Sequence, residues 1–278
     1  MIQTYLLAPF ELGFMRRALA GCLALSLAAP PLGVFLVLRR MSLTSDVLQH
    51  GILPGLALGA MVGSFSIFYM GLGGILAGLT VTLLAGLLAR RTAAREDSQL
   101  AALYLIALAL GVALISGQHG IDLTHLLFGS VLAVDDTALA LMAGVSAIAL
   151  IGLTFIWRPL VFETLDPGYL SRSPVIHLTF LTLVVACVVG GFTAMGTLMS
   201  VGLMMLPAIS ARHWAQRLPG QVRAAVLLAI IASIVGLLLS FHLDLPTGPA
   251  IILTAGALWT GSLIFGRYEH IRTAVPPR

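Results

Sequence analysis

The chain contains no lysine; all 15 of its basic residues are arginine. A Walker A loop needs a lysine on the β- and γ-phosphates of its nucleotide. This chain is therefore not a P-loop ATPase, although it can be the membrane partner of one. Charge of either sign is scarce, at 9% of residues, against about 25% in an ordinary soluble domain. A soluble fold is excluded on that ground. Cysteine is limited to Cys22 and Cys187, each inside an apolar run. That argues against a disulfide framework or a thiolate metal site and favours simple packing. Low-complexity tracts, linkers and a second domain are missing as well. No basic stretch precedes the first apolar run, and Glu11 lies within residues 1–14. A cleavable signal peptide is not expected; the first span would serve as an uncleaved one.

What is present is apolar. Hydrophobic residues make up 59% of the 278, with 29 glycines and a mean hydropathy of +1.05. This reads as an all-α polytopic membrane protein, because helices satisfy their own backbone groups in lipid and glycine lets them pack closely. The net charge of +4 does not point to nucleic acid, since the arginines are spread between apolar segments as topology signals. A span needs about 20 apolar residues. Nine runs approach this, at 18–38, 42–62, 67–89, 100–116, 131–155, 175–194, 197–211, 223–241 and 249–265. The expectation is one membrane domain over 1–278, with spans inside 18–265.

Arginine clusters occur at Arg39/Arg40, Arg90/Arg91/Arg95, Arg158/Arg172, Arg212/Arg217/Arg223 and Arg267/Arg272/Arg278. Two apolar runs separate each cluster from the next, so all five can be cytoplasmic, as the positive-inside rule prefers. Nine spans follow, N-terminus outside and C-terminus inside, with eight as the alternative. Arg16 and Arg17 do not fit this parity and suggest an interfacial helix over 6–17. The same parity puts 117–125 and 242–248 outside. It puts 157–174, with Glu163, Asp166 and Pro167, on the cytoplasmic face, where a short amphipathic helix is expected.

Asp46 and His50 open the second run. Residues i and i+4 share a helix face, so a carboxylate and an imidazole converge where apolar sequence begins. Ionisable groups there are expensive and by default mark an ion or substrate path. Oxygen and nitrogen together suit a divalent transition metal, and only neutral imidazole ligates. The alternative is a buried Asp–His hydrogen bond or a cap. Gly51, Gly55, Gly59 and Gly63 recur every four residues as a ridge for close helix approach. Pro54 has no N–H for the His50 carbonyl; that carbonyl becomes a possible further metal oxygen, or the proline simply kinks the helix. His242 and Asp244 are two apart and do not share a helix face. They read as outer-loop residues that either receive substrate or are only solvated. His119, Asp122 and His125 are metal-ligand types, but no zinc spacing fits them. His177, His213 and His270 read as satisfied or interfacial histidines. Met195, Met199, Met204 and Met205 read as adaptable packing rather than a Cu(I) site.

Four blocks carry a resemblance over nearly the whole chain. They are Phe14-Met15-Arg16-Arg17-Ala18-Leu19; Arg39-Arg40-Met41-Ser42 through Asp46, His50 and Leu53-Pro54-Gly55; Leu127-Phe128-Gly129-Ser130-Val131-Leu132; and Leu206-Pro207-Ala208 to Ala211-Arg212 with Ser240, Asp244-Leu245-Pro246 and Gly248-Pro249. In these blocks the chain resembles the ABC-3 family, the permease subunits of ABC importers for zinc, manganese and iron(II). It departs from the family at Ser45, where glycine usually precedes the aspartate, and at Ser173-Pro174, where a glycine is often found.

The resemblance implies a type II ABC importer-like permease in a bacterial plasma (inner) membrane. It implies a homodimer of two permease copies, a cytoplasmic ABC ATPase dimer and an extracytoplasmic metal-binding protein. Asp46 and His50 would be the metal ligands, with Pro54, His242 and Asp244 as a possible further path. Glu163, Asp166, Tyr169 and Arg172 would lie in the segment that contacts the ATPase. No permanent cofactor is implied; the metal is cargo, with Zn2+ slightly ahead of Mn2+. Three other readings are weaker. A metal-chelate permease would not need the Asp/His pair, an ion-coupled carrier would carry more paired membrane acids, and a membrane enzyme would show a catalytic cluster.

Overall fold

The computed structural model describes residues 8–42, 44–63, 66–91, 96–116, 134–165 and 173–266. Among the described residues a 3-10 turn over Ala8–Glu11 leads into ten α-helices: α1 (Gly13–Leu38), α2 (Thr44–Gly51), α3 (Leu53–Val62), α4 (Ile67–Arg91), α5 (Glu96–Ser116), α6 (Asp136–Leu165), α7 (Pro174–Met195), α8 (Thr197–Ala211), α9 (Leu218–Leu243) and α10 (Thr247–Phe265). No strand occurs among the described residues. Counting α2 and α3 as one interrupted segment, nine apolar helical segments stand where the nine runs were read. Among the described residues six helices are long and apolar enough to cross a membrane: α1, α4, α6, α7, α9 and α10. The other three segments are the interrupted α2–α3, the apolar stretch Ser98–Leu114 and Thr197–Ala211.

Proline sets several boundaries. Pro174, Pro54 and Pro219 stand in the first turns of α7, α3 and α9, where a missing N–H costs nothing. Pro30 and Pro31 lie within α1, Pro159 within α6 and Pro207 within α8. Packed neighbours in a bundle make such prolines tolerable.

α1 is the hub. Of its most apolar window 78% is buried, against 22% for α6. It packs on α6, α7, α8 and α9. Phe35, Leu25, Leu32 and Leu36 of α1 lie fully buried in the main core together with Phe180 of α7 and Met142 of α6. Midway along α1, the hydroxyls of Ser26 and Ser233 meet at 3.0 Å, so a polar pair joins α1 to α9 inside the apolar core. Met195, Met199, Met204 and Met205 are all buried in this core, and both cysteines are free and buried.

The two ends of the bundle segregate as the arginine parity requires. At one end Arg17 of α1 meets Asp136, the first residue of α6, at 3.8 Å. At the other, Arg39 just beyond α1 reaches the last turn of α6 and the first turn of α7. Arg16 and Arg17 therefore lie in the opening turns of α1 itself, not in a separate interfacial helix. The helical bond from the Arg16 N–H to the Leu12 carbonyl, 3.1 Å, begins that run. The stretch 157–165 likewise continues α6 instead of starting a loop. Leu160 is fully buried and Trp157 packs edge-on to Phe35, with centroids 5.3 Å apart, so apolar contact holds those turns helical.

The glycine ridge does what its spacing predicts. A Cβ at Gly55 would collide with the Gly73 carbonyl, and one at Gly59 with the Tyr69 carbonyl. α3 and α4 cross backbone to backbone. Gly144 of α6 has nothing within 4 Å of such a Cβ. Gly55→Ala is expected to lower stability by about 1–3 kcal/mol through overpacking. Gly144→Ala is expected to be neutral or stabilising. Thermal melting of the two detergent-purified variants checks the contrast.

Candidate metal centre

The site begins at the turn after α1. Arg40 adopts the left-handed region at φ 59°. The Arg39 N–H bonds the Phe35 carbonyl and the Met41 N–H bonds the Leu36 carbonyl. These bonds close the helix as a left-handed cap does and reverse the chain into α2. Arg39 points the other way, into the protein. Its Nε donates to Thr164 Oγ1 at 3.1 Å, one terminal nitrogen lies 3.3 Å from His177 Nδ1, and the other lies 3.6 Å from Glu163 Oε1. Its guanidinium also lies over the Phe180 ring, 5.0 Å from the centroid, a favourable cation–π position. The arginine pair thus divides its work: Arg40 turns the chain and Arg39 fixes the turn.

Asp46 follows in the first turn of α2 and His50 in its last. Negative charge is favoured at a helix N-terminus. His50 Nε2 and Asp46 Oδ1 are 3.9 Å apart. The Asp46 side chain is 58% exposed and that of His50 29%, so the pair faces accessible space instead of closing on itself. Two ligand bonds of about 2.1 Å span about 3.4 Å at the tetrahedral angle and about 4.2 Å at most, so a shift of about half an ångström brings the pair onto one ion. Gln49 lies between them. Its Nε2 donates to Asp46 Oδ1 at 2.8 Å and sits 3.5 Å from His50 Nε2. Tyr104 of α5 faces the imidazole, with centroids 6.2 Å apart. Tyr104 is about 12 Å along α5 from Glu96 at the helical rise, which puts His50 on the Glu96 side of the helix middle.

Directly after His50 the helix is interrupted at Ile52. Pro54, buried, has no N–H to give the His50 carbonyl, and α3 restarts around it. Gly111 of α5 lets that break approach closely: a Cβ there would stand 3.0 Å from the Pro54 nitrogen.

Other residues singled out from the sequence fall elsewhere. Asp244 adopts the left-handed region at φ 53° and closes α9, its N–H bonding the Ser240 carbonyl. Ser240 Oγ donates to the Leu245 carbonyl at 2.7 Å and meets Thr247 Oγ1 at 3.0 Å. That element is a built turn into α10, with His242 and Asp244 exposed on it. Glu163 is buried and faces Arg39. Asp166, Tyr169 and Arg172 lie outside the described residues, as do His119, Asp122, His125 and the block 127–132. Among the described residues no group of three or more His, Cys, Asp or Glu side chains comes together. Among the described residues the pair Asp46 and His50 stands without a third such side chain. Gln49 and Tyr104 escaped the sequence reading. Gln49 had a signal, since it stands three residues after Asp46 on α2; Tyr104 had none, because its helix arrives through tertiary packing.

The bundle is that of a polytopic helical membrane protein. The chain belongs to the ABC 3 transport family, whose pattern matches residues 11–266. It is a multi-pass protein of the bacterial plasma membrane. It is similar to the manganese transport system membrane protein MntC of Halalkalibacterium halodurans, 29% identical over 266 residues, covering 94% of this chain and 90% of that protein. It is similar to a probable iron transport system membrane protein of Haemophilus influenzae, 28% identical, covering 95% and 97%. Among solved structures it superposes on PsaBC from Streptococcus pneumoniae in complex with Fab, with a TM-score of 0.81 and 26% identity over 98% of this chain and all of that one.

Removing the Glu163 carboxylate would take a negative charge from beside the buried Arg39 guanidinium. Glu163→Ala is expected to cost about 3–5 kcal/mol, seen as a lower melting temperature than Asp244→Ala, whose side chain is exposed.

Proposed function

We propose that this permease carries a divalent transition metal inward, Mn2+ or Fe2+ in preference to Zn2+, with Asp46 and His50 as its ligands in the path. The observation that carries this reading is the Asp46–His50 spacing of 3.9 Å at an accessible helix face. The names of the relatives, manganese and iron transport proteins, support manganese and iron over the zinc preference drawn from the sequence. Affinity must remain modest, because a transport site has to release its ion. Two ligands per chain suit that requirement. A second copy of the permease would bring two more, making a four-ligand shell across a dimer axis, and water can fill any remainder.

A separate cytoplasmic ATPase would supply the driving energy, a reading supported by membership of the ABC 3 transport family; this chain itself has no lysine for a Walker A loop. The ATPase would dock at the segment between α6 and α7. Glu163 serves that segment from within, by tying the end of α6 through Arg39 to the turn that precedes Asp46. An extracytoplasmic metal-binding protein would deliver the ion at the opposite end.

The test is uptake of Mn2+, Fe2+ and Zn2+, with metal-stimulated ATP hydrolysis, in the reconstituted complex. Asp46→Ala and His50→Ala are each expected to reduce metal-dependent transport at least tenfold, on the scale of losing one ligand, while the complex still assembles. Normal transport by both variants would show that the ion passes elsewhere.

A further inference from the structure

We infer that Gln49 is a third ligand of the Asp46–His50 site and sets its metal preference, an inference that rests on the import function proposed above. The residue is only 7% exposed, yet its amide is turned toward the two ligands. A carboxylate can only accept, so the face now turned to Asp46 is the N–H2. That group lies 2.8 Å from Asp46 Oδ1 and 3.5 Å from His50 Nε2. An ion bridging the pair stands against the same amide. Cations and N–H donors repel, so the amide must present its other face. The amide oxygen Oε1 is buried and makes no hydrogen bond, a costly arrangement for a polar atom. A half-turn about the terminal torsion of glutamine, which is soft, exchanges the two faces. Oε1 then points to the ion, and the N–H2 takes the buried position in its place.

The exchange has a chemical consequence. Asp46 and His50 alone give one oxygen and one nitrogen per chain. Adding Oε1 gives two oxygens and one nitrogen. Carbonyl and carboxylate oxygens suit Mn2+, whereas imidazole suits Zn2+. Raw affinity follows the Irving–Williams order and favours Zn2+, so a permease for the harder ion needs an oxygen bias within the site. Gln49 supplies it without adding charge, and without a second fixed carboxylate that would hold the ion too tightly to release.

The experiment measures Mn2+ and Zn2+ binding, and the Mn2+ electron paramagnetic resonance spectrum, on the complete permease–ATPase complex in nanodiscs. Wild type, Gln49→Met, Gln49→Glu and His50→Ala are compared. Methionine keeps the length and burial of glutamine but removes both polar faces. Gln49→Met is expected to weaken Mn2+ binding about tenfold or more, to weaken Zn2+ binding less, and to change the Mn2+ spectrum. Gln49→Glu keeps an oxygen at the same reach and is expected to retain the Mn2+ preference. Equal losses for both metals in Gln49→Met, or an unchanged Mn2+ affinity and spectrum, would overturn the role of Gln49 while His50→Ala still abolishes binding. If Gln49→Met does not assemble, loss of the Mn2+ preference in Gln49→Glu overturns it. Normal binding of both metals by His50→Ala would instead sink the metal site itself.

Discussion

Arg39 is a permanent charge buried in an apolar bundle, and much of the site depends on how it is held. Thr164, Glu163 and Phe180 surround its guanidinium, and His177 lies beside it. An arginine in this setting has to be satisfied on several sides, because an unpaired buried ion is strongly unfavourable. Satisfying it draws the end of α6 and the start of α7 onto the turn that closes α1. Seven residues later comes Asp46. The position of the carboxylate is therefore tied to the two helices that flank the segment 166–172.

The second constraint is the interrupted helix. A regular helix through 44–62 would satisfy the His50 carbonyl and continue the packing of its face. Pro54 forbids that bond, and the chain divides into α2 and α3. The two halves then pack differently. α3 lies against α4 through Gly55 and Gly59, close enough for backbone contact. α2 carries a polar face toward α5, where Tyr104 meets His50. Close packing on one half and an accessible polar face on the other follow from a single imino acid and a four-residue glycine repeat.

Much of the fold was legible before any coordinates. Seven of the nine apolar runs lie within single helices, 42–62 is shared by α2 and α3, and 131–155 is helical from Asp136, since length and hydropathy decide what can cross a bilayer. The parity of the arginine clusters matches the segregation of Arg17 with Asp136 at one end and Arg39 with Thr164 at the other. The reading erred where apolar character and polarity mix. Residues 157–165 hold Arg158, Pro159 and Glu163 and read as loop, yet Trp157 and Leu160 pack on α1 and keep them helical. Arg16 and Arg17 read as an interfacial anchor, yet they belong to the first turns of α1.

The sequence by itself determined the class: an all-helical membrane bundle, an ATPase left to another chain, and an Asp/His pair on one helix face. These follow from composition and from the 3.6-residue period, which are local properties. Only the tertiary structure decided which way the buried charges face. Glu163 turns inward to Arg39 because three helix ends converge there. Asp244 closes a turn because α9 has to reverse into α10. Gln49 stands between Asp46 and His50 with its oxygen unpartnered because α2 is packed on its far side. Contacts between distant segments are set by packing, and one-dimensional periodicity does not record them.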